Sequence, residues 1–318
     1  MKRFIIFFVI GIFLLAFIVG RCNNDDIENV EEDGTEYVED GGQEEAFKET
    51  VIDVAEETNP QVVLNSVSFE IPRSIRSIPE QILVRLAYTT SYNKDTKCPN
   101  WVAWCLKREH TDGNYHRNGV PYLDEEGKAY GIGAVTDSTS RGDYFVDLEV
   151  SSPRQEFFDW ADKSIPNNSH GHICPAGDNK WSKVAINQSF LLTNMCPQDY
   201  DMNSGIWEGL ERRCRGWANR FGCVYIASGP IFYNGITKTM GPNKVGVPDA
   251  FFKVVLCMEK GPKALGFVIP NKSQTQDLDS YILSVDEVEE ITGFDFFYNL
   301  PDDIESDIES KSNINYWK

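Results

Sequence analysis

Apolar and polar positions follow a β-strand pattern in several short segments from Val62 onward. These segments are rich in β-branched and aromatic residues, and glycine or proline lies near each of them. We therefore predict that strands dominate this part of the chain. The predicted strands are Gln81–Ser91, Val102–Leu106, Phe221–Ile226, Phe251–Cys257 and Gly266–Ile269.

One segment, from about Asn203 to Arg220, has the period of an amphipathic helix. Its apolar residues recur at spacings of four, four, three and four. These residues are Ile206, Leu210, Cys214, Trp217 and Phe221. A second, short helix is predicted near Val285–Thr292, with Ser284 as its N-cap. Mixed strands with few helices predict an α+β architecture.

The first 22 residues have the layout of an export signal. Lys2 and Arg3 precede an apolar run over residues 4–20, and Cys22 follows. This resembles a bacterial lipoprotein signal, in which a lipid-modified cysteine becomes the first residue, although Arg21 stands where such signals have a small residue. Lipidation of Cys22, an uncleaved membrane anchor and a simple secretion signal remain open. Each predicts an exported protein that is either anchored in the cell envelope or secreted.

Charge is distributed unevenly along the chain. The formal net charge is −19, and residues 22–60 hold fifteen acidic residues and one lysine. Residues 23–60 have too few large apolar side chains to fold alone, so we predict a disordered acidic linker there. The alternative is a regulatory arm that lies in a basic cleft. The predicted domain, residues 61–300, is only mildly acidic, and residues 301–318 are predicted to form an acidic C-terminal tail.

Eight cysteines also fit an exported protein, because disulfides persist in oxidising compartments. The sequence contains no C-x-x-C pair, so it does not predict a structural zinc site. Which cysteines would pair cannot be read from their spacing.

Candidate chemistry is concentrated in the middle of the chain. Residues 169–178 read S-H-G-H-I-C-P-A-G-D, and N-M-C-P-Q follows from Asn194. Metal-assisted hydrolysis needs an activated water and neutralisation of the charge that develops on oxygen atoms. His172 can supply the base, because an unperturbed imidazole has a pKa of roughly 6.5. Asn203 can offer a neutral oxygen to a hard cation such as Mg²⁺, which binds few protein ligands and keeps several waters.

The helix spacing groups further polar residues with Asn203. Asn203, Glu211 and Arg215 recur at multiples of four, so they share one helix face, with Asn203 at the helix start. Taken singly, each residue also has an ordinary structural interpretation. His172 alone could be a buried structural histidine, and Asn203 alone could be a helix N-cap. Glu211 and Arg215 alone could be an i,i+4 surface pair.

Together these motifs resemble the DNA/RNA non-specific endonuclease family. The family pattern is D-R-G-H with a following proline, then N-x-x-P-Q, then N-x-x-x-W-x-x-L-E, and the later motifs match in spacing. Similar segments such as S-G-P-I-F from Ser228 and V-P-D-A-F-F-K from Val247 extend the resemblance to about residues 85–300. The resemblance implies a ββα-metal (His-Me finger) nuclease fold, in which a central antiparallel sheet is flanked by helices.

The resemblance also implies a role for each site residue. His172 is expected to be the general base, Asn203 the metal ligand, and Glu211 a second metal contact through a water molecule. Arg215 is expected to reach a phosphate, and Asn194 to support the site. The implied cofactor is Mg²⁺, with Mn²⁺ as the alternative, and the implied substrates are DNA and RNA. Dimers occur among relatives, and the sequence leaves a homodimer open.

The first motif departs from the family pattern, because Ser169 and His170 replace its aspartate and arginine. The arginine of the pattern helps to hold the phosphate. His170 is retained as a catalytic candidate that can donate a hydrogen bond, but it brings charge only when it is protonated. The sequence offers other cations that could replace the missing charge, namely Lys180, Lys183 and Arg154.

Two functions follow from the sequence. The leading hypothesis is a metal-dependent endonuclease that hydrolyses DNA and RNA with little sequence preference, since cationic side chains would contact phosphates rather than bases. The alternative is a catalytically weak or inactive nucleic-acid-binding lipoprotein that has kept the nuclease fold. Membrane contact is expected through the N-terminal segment or through a lipid on Cys22.

Overall fold

The computed structural model describes residues 68–318. The predicted export signal with Cys22, the acidic linker over 23–60 and residues 61–67 of the predicted domain lie outside the described residues. Among the helices of residues 68–318, none combines the length and the apolar character that crossing a bilayer requires.

Fifteen strands run through residues 68–318. Their bounds are β1 (Arg73–Ser74), β2 (Gln81–Val84), β3 (Thr89–Asn93), β4 (Cys98–Lys107), β5 (Ser140–Arg141), β6 (Tyr144–Phe145), β7 (Asn168–His172), β8 (Met195–Asp199), β9 (Cys223–Ile231), β10 (Thr239–Met240), β11 (Val245–Gly246), β12 (Ala250–Cys257), β13 (Lys263–Pro270), β14 (Ile282–Leu283) and β15 (Phe294–Asp295). Seven of them form a central antiparallel sheet in the order β14-β13-β12-β9-β4-β3-β2. The others pair as β1-β15, β5-β6, β7-β8 and β10-β11.

The helices are short, apart from one. They are α1 (Lys183–Ser189), α2 (Tyr200–Met202), α3 (Glu208–Phe221), α4 (Val285–Thr292) and α5 (Asp302–Glu309). A π-helical turn, Asn203–Trp207, joins α2 directly to α3. Single 3-10 turns lie at Arg108–Asp112, Asp159–Ala161, Ala176–Asp178, Leu192–Asn194, Leu278–Tyr281 and Ile314–Trp317.

The alternation of side chains along the central strands builds one core on each face of the sheet. On β4, Val102 and Trp104 pack with the helix residues Trp207 and Leu210. Trp101 and Ala103, which alternate with these two residues along the strand, belong to the opposite core. That second core also contains Val285 and Val288 of α4 and Ile308 of α5. The predicted α+β class, with a central antiparallel sheet flanked by helices, is therefore confirmed.

Two strand predictions were wrong, one in the middle of the predicted strand and the other at its first residue. The segment Gln81–Ser91 forms two strands, because the Arg85 amide donates to the Tyr88 carbonyl at 2.8 Å and closes a turn. That turn contains no glycine or proline, which is why the sequence pattern missed it. Phe221 ends α3 instead of starting β9, because Gly222 follows in a left-handed conformation at φ +98°.

The predicted helix from Asn203 is present but starts earlier. It begins at Tyr200, and Asp199 is the N-cap, accepting a hydrogen bond from the Met202 amide at 3.0 Å. Asn203 therefore lies inside the helical segment and not at its start, and its side chain does not serve as the N-cap. The short helix α4 agrees with its prediction, since Ser284 accepts from the Glu287 amide in a capping box.

Residues 301–318 do not form a separate acidic tail. Trp317 is 2% exposed, and its ring centroid lies 4.4 Å from that of Trp217 on α3. Ile308 of α5 is buried in the core beneath α4. The apolar residues of this segment complete both cores, which outweighs the charge that suggested a solvated tail.

The seven cysteines of the described residues are free thiols, and five of them are buried. Cys105 and Cys223 are only partly buried, and they face each other across β4 and β9 with their Sγ atoms 2.7 Å apart. The hydrogen bond from Cys105 and the nearby charge of Lys107 lower the pKa of the Cys223 thiol against the effect of its burial.

We expect oxidised glutathione to convert Cys105 and Cys223 to a disulfide. The Cys223 thiolate attacks the glutathione disulfide, and Cys105 then displaces the bound glutathione, so two reduced glutathione molecules leave. The link would close a long loop and raise the free energy of unfolding by about 5 kcal/mol at most. Peptide mapping by mass spectrometry should find this pair, and Cys257→Ser should not change it. Recovery of both thiols unmodified after oxidation would contradict the prediction.

Candidate active site

A β-hairpin followed by a helix carries most of the predicted site residues. β7 pairs antiparallel with β8, with Ser169 opposite Gln198 and His172 opposite Met195. β8 then leads directly into α2. A Cβ atom at Gly171 would come within 2.1 Å of the Gln198 side chain, so glycine is required where the two strands meet.

Asn203 faces the strand that carries His172. Its Nδ2 donates to the Ser169 hydroxyl at 3.0 Å, and that hydroxyl donates to the Gln198 carbonyl at 3.1 Å. The amide is thereby oriented by its nitrogen, which leaves the Oδ1 oxygen available to a cation. The π-helical turn that contains Asn203 is of a kind often found at functional sites.

His172 lies in a largely apolar setting. Its ring centroid is 4.9 Å from that of Phe190 and 6.4 Å from that of Tyr144. Its Nε2 is buried, and no residue of 68–318 hydrogen-bonds to it. Burial first, and then the charge of Arg117, lower the pKa of His172 to about 3. The ring is therefore neutral near pH 7 and has a nitrogen free to accept a proton.

His170 is held between aromatic rings. Its ring stacks on Trp160 with centroids 3.8 Å apart and an interplanar angle of 16°, and Tyr144 lies 4.5 Å away on centroids. Burial lowers the pKa of His170 to about 4, with a smaller contribution from Arg117. At neutral pH His170 is uncharged, so it does not replace the charge of the family's arginine.

Glu211 and Arg215 lie near Asp178 and Lys253, two residues to which the sequence assigned no role. Arg215 NH1 donates to the buried Asp178 carboxylate at 2.9 Å, so Arg215 does not form the i,i+4 surface pair with Glu211 that was its ordinary structural interpretation. The Trp104 indole donates to the other Asp178 oxygen at 3.1 Å. Burial raises the pKa of Glu211 to about 7, although the charge of Lys253 opposes this.

Arg215 also touches the loop that follows His172. A Cβ atom at Gly177 would lie 2.8 Å from Arg215 NH1, so this glycine allows the guanidinium to approach the backbone. The Arg215 side chain keeps 20% of its surface exposed. Arg215 of helix α3 thus pairs with Asp178 in the segment that follows β7, a few residues along the chain from His172.

Asn194 is fully buried and uses its whole amide group within the protein. Its Oδ1 accepts from the Cys174 amide at 2.9 Å, and its Nδ2 donates to the carbonyls of Cys174 and Ser189, each at 2.8 Å. The backbone carbonyl of Asn194 also accepts from the Ile173 amide at 3.0 Å. It fixes the backbone just after His172 and has no surface to offer a substrate.

The donors around the helix suit a hard cation. Asn203 offers an amide oxygen, and Glu211 offers a half-buried carboxylate. Oxygen ligands are those that Mg²⁺ and Mn²⁺ prefer. A separate group of three carboxylates in residues 68–318, Asp286, Glu289 and Glu309, lies within 4.8 Å but belongs to α4 and α5. It does not include any predicted site residue.

Comparison with known proteins assigns the chain to a family. The model of the DNA/RNA non-specific endonuclease family matches residues 68–303, which include the hairpin, the helix and the central sheet. The chain belongs to this family. The family membership expected from the motifs is therefore confirmed, and the match includes the positions at which Ser169 and His170 depart from the D-R-G-H pattern.

Named relatives include mitochondrial and bacterial nucleases. The chain is 37% identical to nuclease EXOG, mitochondrial, of Xenopus laevis over 150 residues, which are 42% of this chain and 42% of that protein. It is 30% identical to a nuclease of Nostoc sp. over 241 residues, 72% of this chain and 78% of the relative. The chain thus spans about two fifths of the length of the mitochondrial EXOG proteins it matches.

The fold of this chain also matches that of a solved structure. The crystal structure of the EndoG/EndoGI complex matches with a TM-score of 0.55 at 22% identity, over 70% of this chain and 87% of that chain. This match confirms the predicted ββα-metal nuclease fold.

Several residues beside the site were missed by sequence reasoning. Lys253 had a readable signal, because it is the one charged residue in an otherwise apolar strand, and it is 1% exposed between the rings of Trp104 and Trp207. Asp178 stood in the quoted motif without a role. Arg117 had no signal, since it comes from a polar loop that lies next to the histidines only after folding.

The low pKa of His170 predicts a pH-dependent stability. The unfolded chain protonates this ring below about pH 6.5 and the folded chain only below about pH 4, so acidification from pH 7 to 5 favours unfolding. Glutamates with a raised pKa, such as Glu211, act in the opposite direction, so the readout is a difference between variants. His170→Gln should reduce the loss of unfolding free energy between these pH values by up to about 2 kcal/mol.

Urea denaturation at pH 7 and pH 5 measures this effect. His116→Gln, which changes an exposed histidine, is the matched control and should leave the pH dependence unchanged. An identical pH dependence in His170→Gln and the wild type would mean that this ring titrates in the folded protein as it does in the unfolded chain.

Proposed function

We propose that this protein is a metal-dependent endonuclease that hydrolyses phosphodiester bonds of DNA and RNA with little sequence preference. The observation that carries the proposal is the buried Nε2 of His172, which lacks a hydrogen-bond partner within residues 68–318. It lies on the strand to which Asn203 is hydrogen-bonded. A buried polar atom without a partner is costly in a purely structural site, so its retention fits a group that acts on a substrate.

In the proposed reaction His172 takes the proton from the attacking water. Its low pKa keeps the ring neutral at working pH, and Phe190 and Tyr144 restrict its orientation. Asn203 would hold the cation directly and Glu211 would hold it through a water molecule; Mg²⁺ is the preferred cation and Mn²⁺ the alternative. When bound, the cation neutralises charge on the phosphoryl oxygens and stabilises the leaving oxygen.

Arg215 binds the substrate, and Asp178 and Asn194 position the groups that act on it. Arg215 donates to a phosphate with the part of its guanidinium that stays exposed, while Asp178 fixes its direction. Asn194 positions His172 through the backbone of Cys174 and does not contact the substrate. Because a base, oxygen donors and an arginine are all present, we do not adopt the alternative of an inactive nucleic-acid-binding protein.

We also propose that the protein is exported and is either secreted or held at the cell envelope. The support is the basic and apolar N-terminus followed by Cys22, where a lipid would attach the chain to the membrane.

Replacement of the base tests the mechanism. His172→Ala should lower the rate of plasmid and RNA digestion in Mg²⁺ by roughly 10²–10⁴-fold, because general-base catalysis contributes about that much. His116→Ala is the control and should digest at the wild-type rate. EDTA should abolish digestion by the wild type. Cleavage by His172→Ala at the wild-type rate would exclude this residue as the base.

Replacement of the proposed ligand tests the metal site. Asn203→Ala removes an oxygen donor, so the Mg²⁺ concentration for half-maximal activity should rise about tenfold or more. Ser204→Ala changes the neighbouring side chain, which bonds only to the Tyr200 carbonyl, and should leave the Mg²⁺ requirement unchanged. An unaltered requirement in Asn203→Ala would argue against a role in metal binding.

A further inference from the structure

A cavity of about 360 Å³ opens beside His170. It is lined mainly by cationic and aromatic side chains, with Asp143 as the acidic member of the lining. These cationic and aromatic residues are Arg117, Arg141, Tyr144, Phe157, Trp160 and His170. Two guanidinium groups against one carboxylate give the cavity an excess of positive charge, and the rings give it flat apolar walls.

Arg117 is held in this cavity with its charge facing both histidines. Its Nε donates to the Asp143 carboxylate at 3.2 Å, and its NH2 donates to the Tyr144 hydroxyl at 2.9 Å. The Gly119 amide also donates to Asp143 at 3.1 Å, which fixes the loop that carries Arg117. The Arg117 side chain stays 56% exposed, and NH1 has no acceptor among residues 68–318.

The position of Arg117 relative to the candidate base is set by shared aromatic contacts. Its guanidinium carbon lies 5.2 Å from the centroid of Tyr144 and 5.5 Å from that of Phe190. Phe190 also packs against His172, and Tyr144 packs against His170. In agreement with this placement, the charge of Arg117 lowers the pKa of both histidines.

Two of the cations that the sequence suggested as substitutes, Arg154 and Lys183, have other partners. Arg154 pairs with Glu156 at 3.2 Å and donates to the Val150 carbonyl at 2.8 Å. Lys183 Nζ lies over the Tyr130 ring at 4.9 Å. Arg117 and Arg141 are the arginines that line the cavity beside His170.

We propose that this cavity binds a nucleotide of the substrate, with Arg117 supplying the phosphate-binding charge that His170 lacks. A guanidinium with a free edge suits a phosphodiester oxygen, and the half-buried aromatic rings that line the cavity suit a nucleobase. Arg141, which is exposed and lies over Phe157 at 5.8 Å, binds the next phosphate. The inference rests on the proposed nuclease function, because it names the group that contacts the substrate of that site.

The kinetic test compares substitutions at three positions. Arg117→Gln should lower kcat/KM for plasmid digestion on the order of 10²-fold, since it removes a charge-stabilising donor. Adding His170→Arg to Arg117→Gln should restore much of this loss by returning a cation beside the base. Arg154→Gln is the matched control and should keep wild-type kinetics. Thermal melts of all variants verify that they are folded.

A binding test does not depend on turnover. In the His172→Ala background with EDTA, fluorescence anisotropy follows a labelled oligothymidylate at increasing salt. Loss of one phosphate contact should reduce the slope of log K against log salt by about 0.7 in Arg117→Gln. Arg154→Gln should leave the slope unchanged.

The outcomes separate this inference from the function on which it rests. If the wild type digests nucleic acid and needs His172, but Arg117→Gln matches the wild type in kcat/KM and in salt slope, the subsite assignment is overturned and the nuclease stands. If the wild type does not digest at all, the nuclease proposal fails, and the salt slope alone decides for or against Arg117.

Discussion

The antiparallel pairing of β7 with β8 sets the position of the candidate catalytic groups. Close contact at Gly171 allows the Gln198 side chain to lie against the strand, and this fixes the register. A slip of one residue would turn His172 to the opposite face of the hairpin. Because β8 runs straight into the helical segment, the same register brings Asn203 to Ser169. One pairing therefore determines where both the base and the amide oxygen lie.

Burial of charged groups gives the site its electrostatic character. Asp178 is 3% exposed and is neutralised by Arg215 and by the Trp104 indole. Lys253 is buried between two tryptophan rings, and its charge opposes the rise that burial causes in the pKa of Glu211. Ionised groups placed in such a low-dielectric setting interact strongly, so a bound cation would favour the charged form of Glu211. The fold thus holds Asp178, Glu211, Arg215 and Lys253 as one group of interacting charges.

Aromatic packing accommodates His170 at the position where the chain departs from the family pattern. His170 stacks on Trp160, and its environment keeps the ring uncharged near pH 7. An arginine at this position would meet the same ring, which also binds cations well. The positive charge in this part of the molecule comes from the loop of Arg117, which is held to Asp143. The guanidinium groups beside His170 thus lie outside the hairpin that carries His172.

The sequence by itself determined the family, the α+β class and the pairing of motifs with chemistry, because local spacing and side-chain type decide those features. It placed the helix of Asn203, Glu211 and Arg215 within a few residues, since the apolar period is local. The tertiary structure decided that Asn194 is buried, that residues 301–318 join the cores and that Arg215 pairs with Asp178. Such contacts join segments far apart in the chain, and their burial and charge depend on neighbours that no local pattern records.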